Sequence, residues 1–417
     1  MIDLLRTEKE CIEYIHSLGR FGKKAGLCNI KALLNALGNP HRDLKCIHIA
    51  GTNGKGSVSC MLTNILVQKG FKVGMNTSPY IEVFNERLTI NGQNIPAQKL
   101  IKYTNLVADI INSTEDLNPI EFEVITAIGF LYFKEENCDW CVIECGIGGL
   151  MDSTNVISKP ELCVITPIGF DHTGILGETI ADIACQKAGI IKRGAKVAIH
   201  PDMSCEALSV IEKHCTANDA QMFLTSKDFD LVVHSLEQNL VRIGDLNINL
   251  NLLGSFQPSN AALAVNAARC LGVDDDTIIK GIENASWKCR FERVKSNIII
   301  DGAHNHHGIK AFRESVQMYL DDKRKVIVVG ILNDKDFGEC AKELALINAD
   351  FIVTDVPSAR QLSGEAVYER LLDYIPDASY EKDYTKALEK AKNVAGKDGF
   401  VCVVGSLYLA GAVRSII

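Results

Sequence analysis

Five short and almost continuously apolar runs in the first 200 residues constrain the fold more than any other feature of this sequence. They are CIHIAG (46–51), KVGMNT (72–77), CVIECG (141–146), LCVITPIG (162–169) and KVAIH (196–200). β-Branched, apolar runs of this length are typical of parallel strands buried on both faces. Helical stretches lie between them, at 57–69, 97–111, 120–136 and 178–192. The alternation predicts a doubly wound α/β sheet, whose ligands bind beyond the carboxyl ends of the strands.

A second alternation occupies the end of the chain. NIIIDG, KVIVVGIL, DFIVTD, a short strand near Ser379 and GFVCVVGS are each separated by helical stretches. The periodicity breaks at 287–297, where we place a linker, and 221–253 predicts a small antiparallel appendage to the first domain. Because 417 residues exceed one ordinary core, we expect two domains, at 1–290 and 291–417.

Composition limits the compartment and the partners. The formal net charge of −8 gives no general attraction to nucleic acid or to anionic lipid, and we expect neither as a partner. The N-terminal segment lacks the apolar core of a secretion signal, and the longest apolar run, 124–133, is too short to span a bilayer. Fifteen cysteines, several of them inside strand-like runs, then predict reduced thiols in the cytoplasm. Cys138 and Cys141 form a lone C-x-x-C without a second pair at zinc spacing, so the alternative of a metal site is weaker.

The segment IHIAGTNGKGS (47–57) predicts a phosphate-binding turn. A buried strand leads into glycines and a helix follows at once, so that backbone N–H groups and the helix N-terminus converge on an anion. Lys55 supplies a charge for the β- and γ-phosphates, and the Ser57 hydroxyl reaches magnesium. Gly56 intervenes, whereas the Walker pattern places Ser or Thr directly after the lysine. The alternative is an ordinary glycine-rich turn, which a lysine flanked by Gly54 and Gly56 makes less favourable.

Polar side chains follow the neighbouring strand-like runs. Ser78 follows KVGMNT, Glu144 closes CVIE, and His172 follows LCVITPIG. A carboxylate inside an apolar strand is costly unless it is paired or bound to metal, so Glu144 indicates a cation, with a structural salt bridge as the alternative. Lys187 lies in the next helical stretch. Because parallel strands end at one edge of a sheet, we expect these groups to gather where two hard cations and a triphosphate could bind.

Nine motifs occur in order across nearly the whole chain. They are GTNGKGS, SPY…FNER, FEVITAIGF, ECGIGG…DSTNV, DHTGILG, KAGIIK, FQPSNAALA, DGAHN and DKD. Each motif alone is weak, but together they resemble the folylpolyglutamate synthase/dihydrofolate synthase branch of the Mur ligase superfamily. The resemblance implies a P-loop NTPase-like, Mur ligase central-type domain at 1–290 that binds ATP. It also implies a smaller Rossmann-like domain at 291–417 that closes on the active site.

The resemblance also implies the roles of individual residues. The implied nucleotide contacts are Asn53, Gly54, Lys55, Gly56, Ser57, Asn260, Arg290 and Asp301. The implied magnesium ligands are Ser57, Ser78, Glu144 and His172. The implied catalytic residues are Lys55, Glu144, His172, Lys187 and His304, the last of which would touch phosphate or the incoming amine. In the family a lysine matching Lys187 is often carbamylated, which turns a cation into a carboxylate-like metal ligand.

The activity that the resemblance implies is ATP-dependent addition of L-glutamate to a folate γ-carboxylate, to dihydropteroate, or to both. Phosphorylation of the carboxylate gives an acyl phosphate that an uncharged amine can attack. ATP and Mg²⁺ are the implied cofactors, with carbamylated Lys187 and a monovalent cation as further candidates. Site residues on both sides of the linker predict a hinge whose closure excludes water. We expect a monomer whose partners are these small molecules.

Several positions depart from the family pattern. Lys288-Cys289 replaces a frequent Pro-Gly before Arg290, Tyr80 replaces His, and Leu150 replaces Arg or Asp. His306 replaces a frequent proline, and the resulting D-x-x-H-x-H-H pattern suggests a metal site; the alternative is a turn with His306 and His307 facing solvent. The segment 21–40 corresponds to a part of the family that helps to hold the pterin, with Ala25 and Asn29 in place of proline and a basic residue. A plain amphipathic helix is the alternative there.

Three other functions are compatible with parts of the pattern. A Mur-type ligase with a different carboxylate substrate would keep every motif except those that select folate. A nucleotide-binding regulatory module would not require Glu144, His172 and Lys187. A hydride-transfer enzyme is the weakest alternative, because GIGG at 146–149 lacks the full dinucleotide fingerprint.

Overall fold

A computed structural model describes residues 4–19, 26–331, 337–358 and 363–417. The chain forms two compact units, Met1–Lys227 with Ser259–Asn284, and Asp228–Pro258 with Ala285–Ile417. Residues 228–258 therefore belong to the second compact unit. The functional division at residue 290 stays a prediction.

The first unit alternates strands with helices, as its sequence pattern predicts. Its strands are β1 (Cys46–Ala50), β2 (Val73–Asn76), β3 (Leu88–Ile90), β4 (Gln93–Asn94), β5 (Trp140–Glu144), β6 (Leu162–Ile165), β7 (Lys196–Ile199) and β8 (Gln221–Leu224). Its helices are α1 (Glu8–Ser17), α2 (Cys28–Ala36), α3 (Lys55–Gln68), α4 (Ala97–Ser113), α5 (Glu121–Glu135), α6 (Thr173–Leu176), α7 (Ile180–Ala188), α8 (Cys205–Ala217), α9 (Gln257–Cys270) and α10 (Asp275–Glu283).

Strand order explains where a ligand can bind in the first unit. Within the described residues its sheet has the order β4-β3-β2-β5-β1-β6-β7-β8, and every neighbouring pair from β2 to β8 is parallel. From β1 the chain first builds the β2 side of the sheet and then crosses to β6. In open α/β sheets such a change of direction opens a crevice at the carboxyl ends of the strands. The ends of β2, β5, β1 and β6 are adjacent there.

Two predicted segments have different bounds in the structure. Gln221–Leu224 pairs in parallel with β7 and so extends the main sheet, which means that the antiparallel appendage begins later than predicted. The predicted helix 178–192 is shorter, Ile180–Ala188. It begins after Thr179, which forms a capping box with Asp182. It ends where a Cβ at Gly189 would lie 2.5 Å from Leu150 Cβ, so the next turn packs against that residue.

The second unit contains two sheets. One is antiparallel, β9 (Phe229–His234), β10 (Asn239–Ile243) and β11 (Leu246–Asn249). The other has the order β12-β13-β17-β14-β15-β16, formed by β12 (Glu292–Lys295), β13 (Ile298–Ile300), β14 (Lys325–Val329), β15 (Asp350–Val353), β16 (Ser379–Tyr380) and β17 (Phe400–Val404). Its helices are α11 (His306–Leu320), α12 (Phe337–Ala345), α13 (Gly364–Leu372), α14 (Tyr384–Ala395) and α15 (Leu407–Ile416).

Part of the predicted linker is a strand. Glu292–Lys295 pairs antiparallel with β13, although its charged residues hide the alternation in the sequence. The small antiparallel sheet belongs to this unit through specific contacts. Arg293 Nη1 donates to Glu237 Oε1 at 2.9 Å, and the Tyr319 hydroxyl donates to Asn239 Oδ1 at 2.7 Å. Among the described residues, none of the helices has the length and apolar character needed to cross a bilayer.

Candidate active site

The turn after β1 is built around two glycines. A Cβ at Gly51, where φ is +154°, would lie 1.8 Å from Thr166 Oγ1. A Cβ at Gly54, where φ is +84°, would lie 2.6 Å from Asn260 Oδ1. Only glycine tolerates both the conformation and the lack of space. Asn260, a predicted nucleotide contact on α9, therefore lies directly against the turn.

Lys55 and Ser57 occupy the first turn of α3. The Lys55 ammonium curls back and donates to the carbonyl oxygens of Gly51 at 3.1 Å and Thr52 at 3.0 Å. Ser57 and Gly56 are buried beneath it, and Asn53 lies in the turn itself. The unpaired N–H groups of a helix N-terminus favour an anion at this position.

Thr52 joins this turn to the segment that follows β6. Its hydroxyl lies 3.0 Å from both the carbonyl oxygen and the amide nitrogen of Gly169, and its amide donates to Pro167 O at 2.8 Å. Sequence reasoning did not single out Thr52, because its partners are more than 100 residues away. Its position inside a glycine-rich turn was the only signal.

Ser78 and Glu144 lie together at the ends of β2 and β5. Glu144 is 4% exposed, and the Ser78 amide donates to Glu144 Oε2 at 3.4 Å. A buried carboxylate beside a serine offers oxygen ligands of the kind that magnesium prefers. The donor set of this pair fits the predicted metal.

His172 lies in the segment between β6 and α6, and β6 is two strands from β5 in the sheet. It adopts a left-handed conformation, with φ of +51°, directly before α6. The backbone N–H of His172 donates to Asp171 Oδ1 at 2.9 Å, and the same oxygen lies 3.8 Å from His172 Nε2. The ring remains accessible, since 35% of the side chain is exposed. Asp171 thus orients the residue, a role that sequence reasoning missed.

Lys187 reaches the same turn from α7. Its side chain is buried, and its ammonium donates to Gly51 O at 2.6 Å. Burial, and secondly the nearby positive charge of Lys55, lower the pKa of Lys187 from 10.5 to about 7. A lysine with such a pKa is partly uncharged at neutral pH and can act as a nucleophile.

The glycines at 146–149 serve helix packing. A Cβ at Gly149 would lie 2.8 Å from the carbonyl oxygens of both Gln186 and Lys187, and the Leu150 amide donates to Gln186 O at 2.6 Å. This turn therefore lies against the last turn of α7. The contact explains the glycines without a dinucleotide.

Three predicted residues of the second unit surround the turn after β13. Asp301 is buried and accepts hydrogen bonds from the amides of Phe291 at 2.7 Å and Ala303 at 2.6 Å. Burial raises the pKa of Asp301 to about 6, although Arg290 opposes the shift. A Cβ at Gly302 would lie 2.8 Å from Arg290 Nη1. His304 Nδ1 lies 2.7 Å from Gly302 O.

Lys288-Cys289 stands before Arg290 in place of the frequent Pro-Gly, and the backbone conformation at Cys289 bears on this difference. Cys289 adopts a left-handed conformation with φ of +53°, a region that glycine occupies without strain. The position therefore suits the glycine that is frequent in the family. Arg290 Nη1 donates to Cys289 O at 3.0 Å, so this arginine helps to hold its own loop.

His306 and His307, the last two histidines of the D-x-x-H-x-H-H pattern, have different surroundings. His306 Nε2 lies 3.2 Å from Glu343 Oε1, whereas His307 is exposed. His307 thus faces solvent as the simpler interpretation predicts, and His306 is partly exposed while it contacts Glu343. In the described part of the chain, no three His, Cys, Asp or Glu side chains are grouped to hold a metal by themselves. All fifteen cysteines, Cys138 and Cys141 included, are free thiols.

Two motifs lie wholly or partly outside the described residues. DKD (334–336) is outside, as is the beginning of the 21–40 segment with Ala25. Of that segment, Asn29 donates from Nδ2 to Asn118 O at 2.8 Å, which anchors the start of α2.

Comparisons with known proteins define the class. The Mur ligase middle domain matches residues 49–268, and the Mur ligase glutamate ligase domain matches residues 289–407. Folylpolyglutamate synthase of Lacticaseibacillus casei is 34% identical over 97% of each chain. Dihydrofolate synthase/folylpolyglutamate synthase of Bacillus subtilis is 33% identical over 96% of this chain and 97% of its own. The structure of Mycobacterium tuberculosis folylpolyglutamate synthase with ADP matches with a TM-score of 0.89, 28% identity and 98% of each chain covered.

The fold and the site therefore define a Mur-type ligase with two α/β domains. This chain belongs to the folylpolyglutamate synthase/dihydrofolate synthase family. The predictions of its fold class and of an ATP-dependent ligase that adds glutamate to a folate are confirmed. The roles of the individual site residues stay predictions.

Proposed function

We propose that the chain extends reduced folates with L-glutamate through an acyl phosphate, and that the turn after β1 holds the ATP triphosphate. The observation that carries the proposal is that two lysine side chains donate hydrogen bonds to the same backbone carbonyl oxygen. Lys55 and Lys187 donate to Gly51 O at 3.1 and 2.6 Å. Lys55, at the N-terminus of α3, supplies positive charge for a polyanion, whereas Lys187, with its lowered pKa, can take up the modification proposed below.

Each unit contributes its own residues to the proposed nucleotide contacts. In the first unit these are Asn53, Gly54, Gly56 and Asn260, which line or support the turn. In the second unit they are Arg290 and Asp301. Lys55 balances charge on the γ-phosphate in the way that positioned cations stabilise phosphoryl transfer. The M. tuberculosis relative binds ADP, which supports nucleotide binding by this family.

Mg²⁺ is the proposed metal, with Ser57, Ser78, Glu144 and His172 as its ligands. Serine and carboxylate oxygens suit a hard cation that also keeps water and phosphate oxygens. When bound, the metal would supply charge neutralisation for the triphosphate. A monovalent cation stays a candidate without a located site.

Lys187 is proposed to be carbamylated. Its uncharged amine would attack carbon dioxide, forming an N–C bond and releasing one proton to solvent. The product is a carbamate anion in place of an ammonium cation. Because the positive charge of Lys55 lowers the pKa of Lys187, the exchange would replace a repulsion by an attraction. Density or a mass increase for carbon dioxide on Lys187 would confirm the modification.

The chemistry follows in two displacements. An oxygen of the folate carboxylate attacks the γ-phosphorus, the bond to the β-phosphate oxygen breaks, and ADP leaves. The glutamate amine then attacks the acyl carbon, inorganic phosphate leaves, and the amine loses a proton. His304 is the proposed contact to the phosphate or to the incoming amine. Holding both reactants in place supplies most of the catalytic effect in such transfers.

A substrate panel tests the proposal. ADP release should require glutamate together with a reduced folate, and dihydropteroate should be assayed in parallel because the B. subtilis relative is named for both reactions. Turnover with muropeptide precursors alone would contradict the folate assignment and favour another Mur-type ligase.

Glu144→Gln separates a ligase from a nucleotide-binding module. The variant should lose turnover while it retains part of its affinity for ATP, because it removes only a metal ligand. Glu161→Gln, an exposed carboxylate ahead of β6, is the matched control and should be fully active. Unchanged turnover in Glu144→Gln would remove the proposed role of Glu144.

The cellular setting is also a proposal. The free thiols favour the cytoplasm, and the charge of −8 disfavours nucleic acid and anionic lipid as partners; we propose a monomer that acts on small molecules.

A further inference from the structure

A chain of buried polar groups lies beneath the candidate active site. His48, in the middle of β1, is fully buried. Its Nε2 lies 2.8 Å from Thr154 Oγ1 and 3.2 Å from Cys145 Sγ. Thr154 Oγ1 in turn donates to Asp152 Oδ1 at 2.6 Å. Polar groups are costly inside a central strand, and neither the phosphate turn nor the metal ligands use these side chains.

Asp152 holds the turn that follows β5. Besides the Thr154 hydroxyl, its carboxylate accepts from the amides of Ile147 at 2.9 Å and Thr154 at 3.0 Å. A Cβ at Gly146 would lie 3.3 Å from Asp152 Oδ2. The carboxylate therefore closes residues 146–154 into a compact loop. That loop begins two residues after Glu144.

The number of available protons determines which atom donates in each of these hydrogen bonds. A carboxylate can only accept, and the 2.6 Å contact places the single hydroxyl proton of Thr154 on the Asp152 side. Thr154 Oγ1 must then accept from His48, so His48 carries its proton on Nε2. Nδ1 is left as a lone pair, and it has no hydrogen-bond partner among the residues that the structure describes. A bare acceptor is tolerated in the interior more readily than a bare N–H.

Burial and the charge of Lys192 keep the His48 ring neutral, since together they lower its pKa to about 3. Burial raises the pKa of Asp152, while its hydrogen bonds oppose that shift. Burial also raises the pKa of the neighbouring Cys145 thiol. The ring is therefore neutral at neutral pH.

We propose that His48 is a positioning residue, whose Nε2–H holds Thr154 and Asp152 and thereby fixes the turn that places Glu144. Two routes of contacts connect His48 to the end of β5. One passes through Thr154 and Asp152 to the amide of Ile147, and the other is the direct contact with Cys145, the residue next to Glu144. The inference rests on the proposed role of Glu144 as a magnesium ligand. Groups that orient a metal ligand in this way commonly affect metal affinity or activity by about 10- to 100-fold.

Two substitutions of His48 separate positioning from packing. The amide nitrogen of Gln reaches the place of Nε2, whereas that of Asn reaches only the place of Nδ1. His48→Gln should stay within about 3-fold of the unmodified protein, and His48→Asn should need about 10- to 100-fold more Mg²⁺ for half-maximal turnover. Thr154→Val should behave as His48→Asn does.

His200 provides a matched control. It is also buried in the first unit, directly after β7, and within the described part of the chain its Nε2 also lacks a partner. Its Nδ1 accepts from the Asp202 amide at 3.2 Å, a contact that Asn can replace. His200→Asn should lower the melting temperature without changing the Mg²⁺ requirement. Equal Mg²⁺ requirements for His48→Gln and His48→Asn would overturn the proposal.

Nitrogen NMR of histidine-labelled protein tests the hydrogen-bond direction without using activity. The His48 ring should show protonated Nε2 and unprotonated Nδ1, unchanged between pH 5 and pH 9. Protonation at Nδ1, or titration in that range, would overturn the proposal. If Glu144→Gln is fully active, the metal role of Glu144 fails instead. If Glu144→Gln is inactive but His48→Asn is normal, only the positioning role fails.

Discussion

Each of the two units holds one buried ionisable side chain against the turn that follows a parallel strand, and burial acts on these two groups in opposite directions. In the first unit, burial lowers the pKa of Lys187 to about 7. In the second unit, burial raises the pKa of Asp301 to about 6. Low polarity disfavours the charged form of either group.

The two turns differ in how neighbouring charges affect the pKa of the buried group. Among charged neighbours, Lys55 has the largest effect on the pKa of Lys187, and it adds to the effect of burial. For Asp301 the charged neighbour with the largest effect is Arg290, which counteracts burial. At the second turn the arginine thus opposes the effect of burial, whereas at the first turn the charge of Lys55 has the same sign as that of protonated Lys187. This difference favours the first turn as the place where a polyanion binds.

The largest expected effect comes from closing the first turn. Gly51→Ala would place a Cβ 1.8 Å from Thr166 Oγ1 and 2.9 Å from Thr166 O. The turn must shift, and we expect turnover to fall about 100-fold or more, because small displacements of reacting groups have effects of that size. Gly70→Ala is the control, since Gly70 has φ of +96° but open space around it. Full activity of Gly51→Ala would contradict the assignment of this turn.

The next effect concerns Lys187 and has a defined sign with pH. Below pH 7 both folded and unfolded states carry the charge, and the cost of burying it is complete. Between pH 7 and the usual pKa of 10.5 only the unfolded state binds the proton, so the cost falls as pH rises. Lys187→Met should therefore lose turnover but gain about 1–3 kcal/mol in free energy of unfolding at pH 7, with a much smaller gain at pH 10.

Denaturant unfolding in buffers free of carbon dioxide measures this difference. Lys213→Met, at an exposed position of α8, should change the free energy of unfolding by less than about 0.5 kcal/mol at either pH. A gain for Lys187→Met that is the same at both pH values would show that Lys187 is not buried in its charged form.

Asp301 should produce a smaller effect, on the acid side. Its pKa of about 6 means that the carboxylate, which the proposed ATP contact requires, is lost as pH falls through 6. Turnover at low ATP should therefore decrease below pH 6, by about 10-fold for each further unit. Asp301→Asn should lack this pH dependence while showing a raised KM for ATP. Asp377→Asn, which is exposed, should retain it. An unchanged acid limb in Asp301→Asn would assign the titration to another group.

The parts of the site that are contiguous in sequence could be predicted. The glycine turn with Lys55 reads directly as strand, turn and helix, and Glu144 stands out as a charge in an apolar strand. The alternation of apolar runs likewise predicted the parallel sheet and therefore the edge at which these residues meet. Local pattern was sufficient because each of these features depends on neighbours in the chain.

Contacts between distant residues could not be predicted. Thr52 bonds to Gly169, and His48 bonds to Thr154, each across more than 100 residues. Nothing in the sequence around Thr52 or His48 indicates which distant residue each side chain will contact. The strand at 292–295 was missed for a related reason, because its charged residues alternate only when the pairing with β13 is known.

The smallest expected effect tests whether the second turn could bind metal through its histidines. His306 Nε2 lies 3.2 Å from Glu343 Oε1, while Arg313 Nε also donates to Glu343, through Oε2 at 2.8 Å. His306 is thus engaged by Glu343, and His307 is exposed beside it. His307→Ala should change the free energy of unfolding by less than about 0.5 kcal/mol and leave turnover unchanged, as is usual for exposed positions. Zn²⁺ should not raise the melting temperature through this turn. A Zn²⁺-dependent increase that disappears in both His306→Ala and His307→Ala would instead establish a metal site, and the second turn would then gather ligands as the first gathers charge.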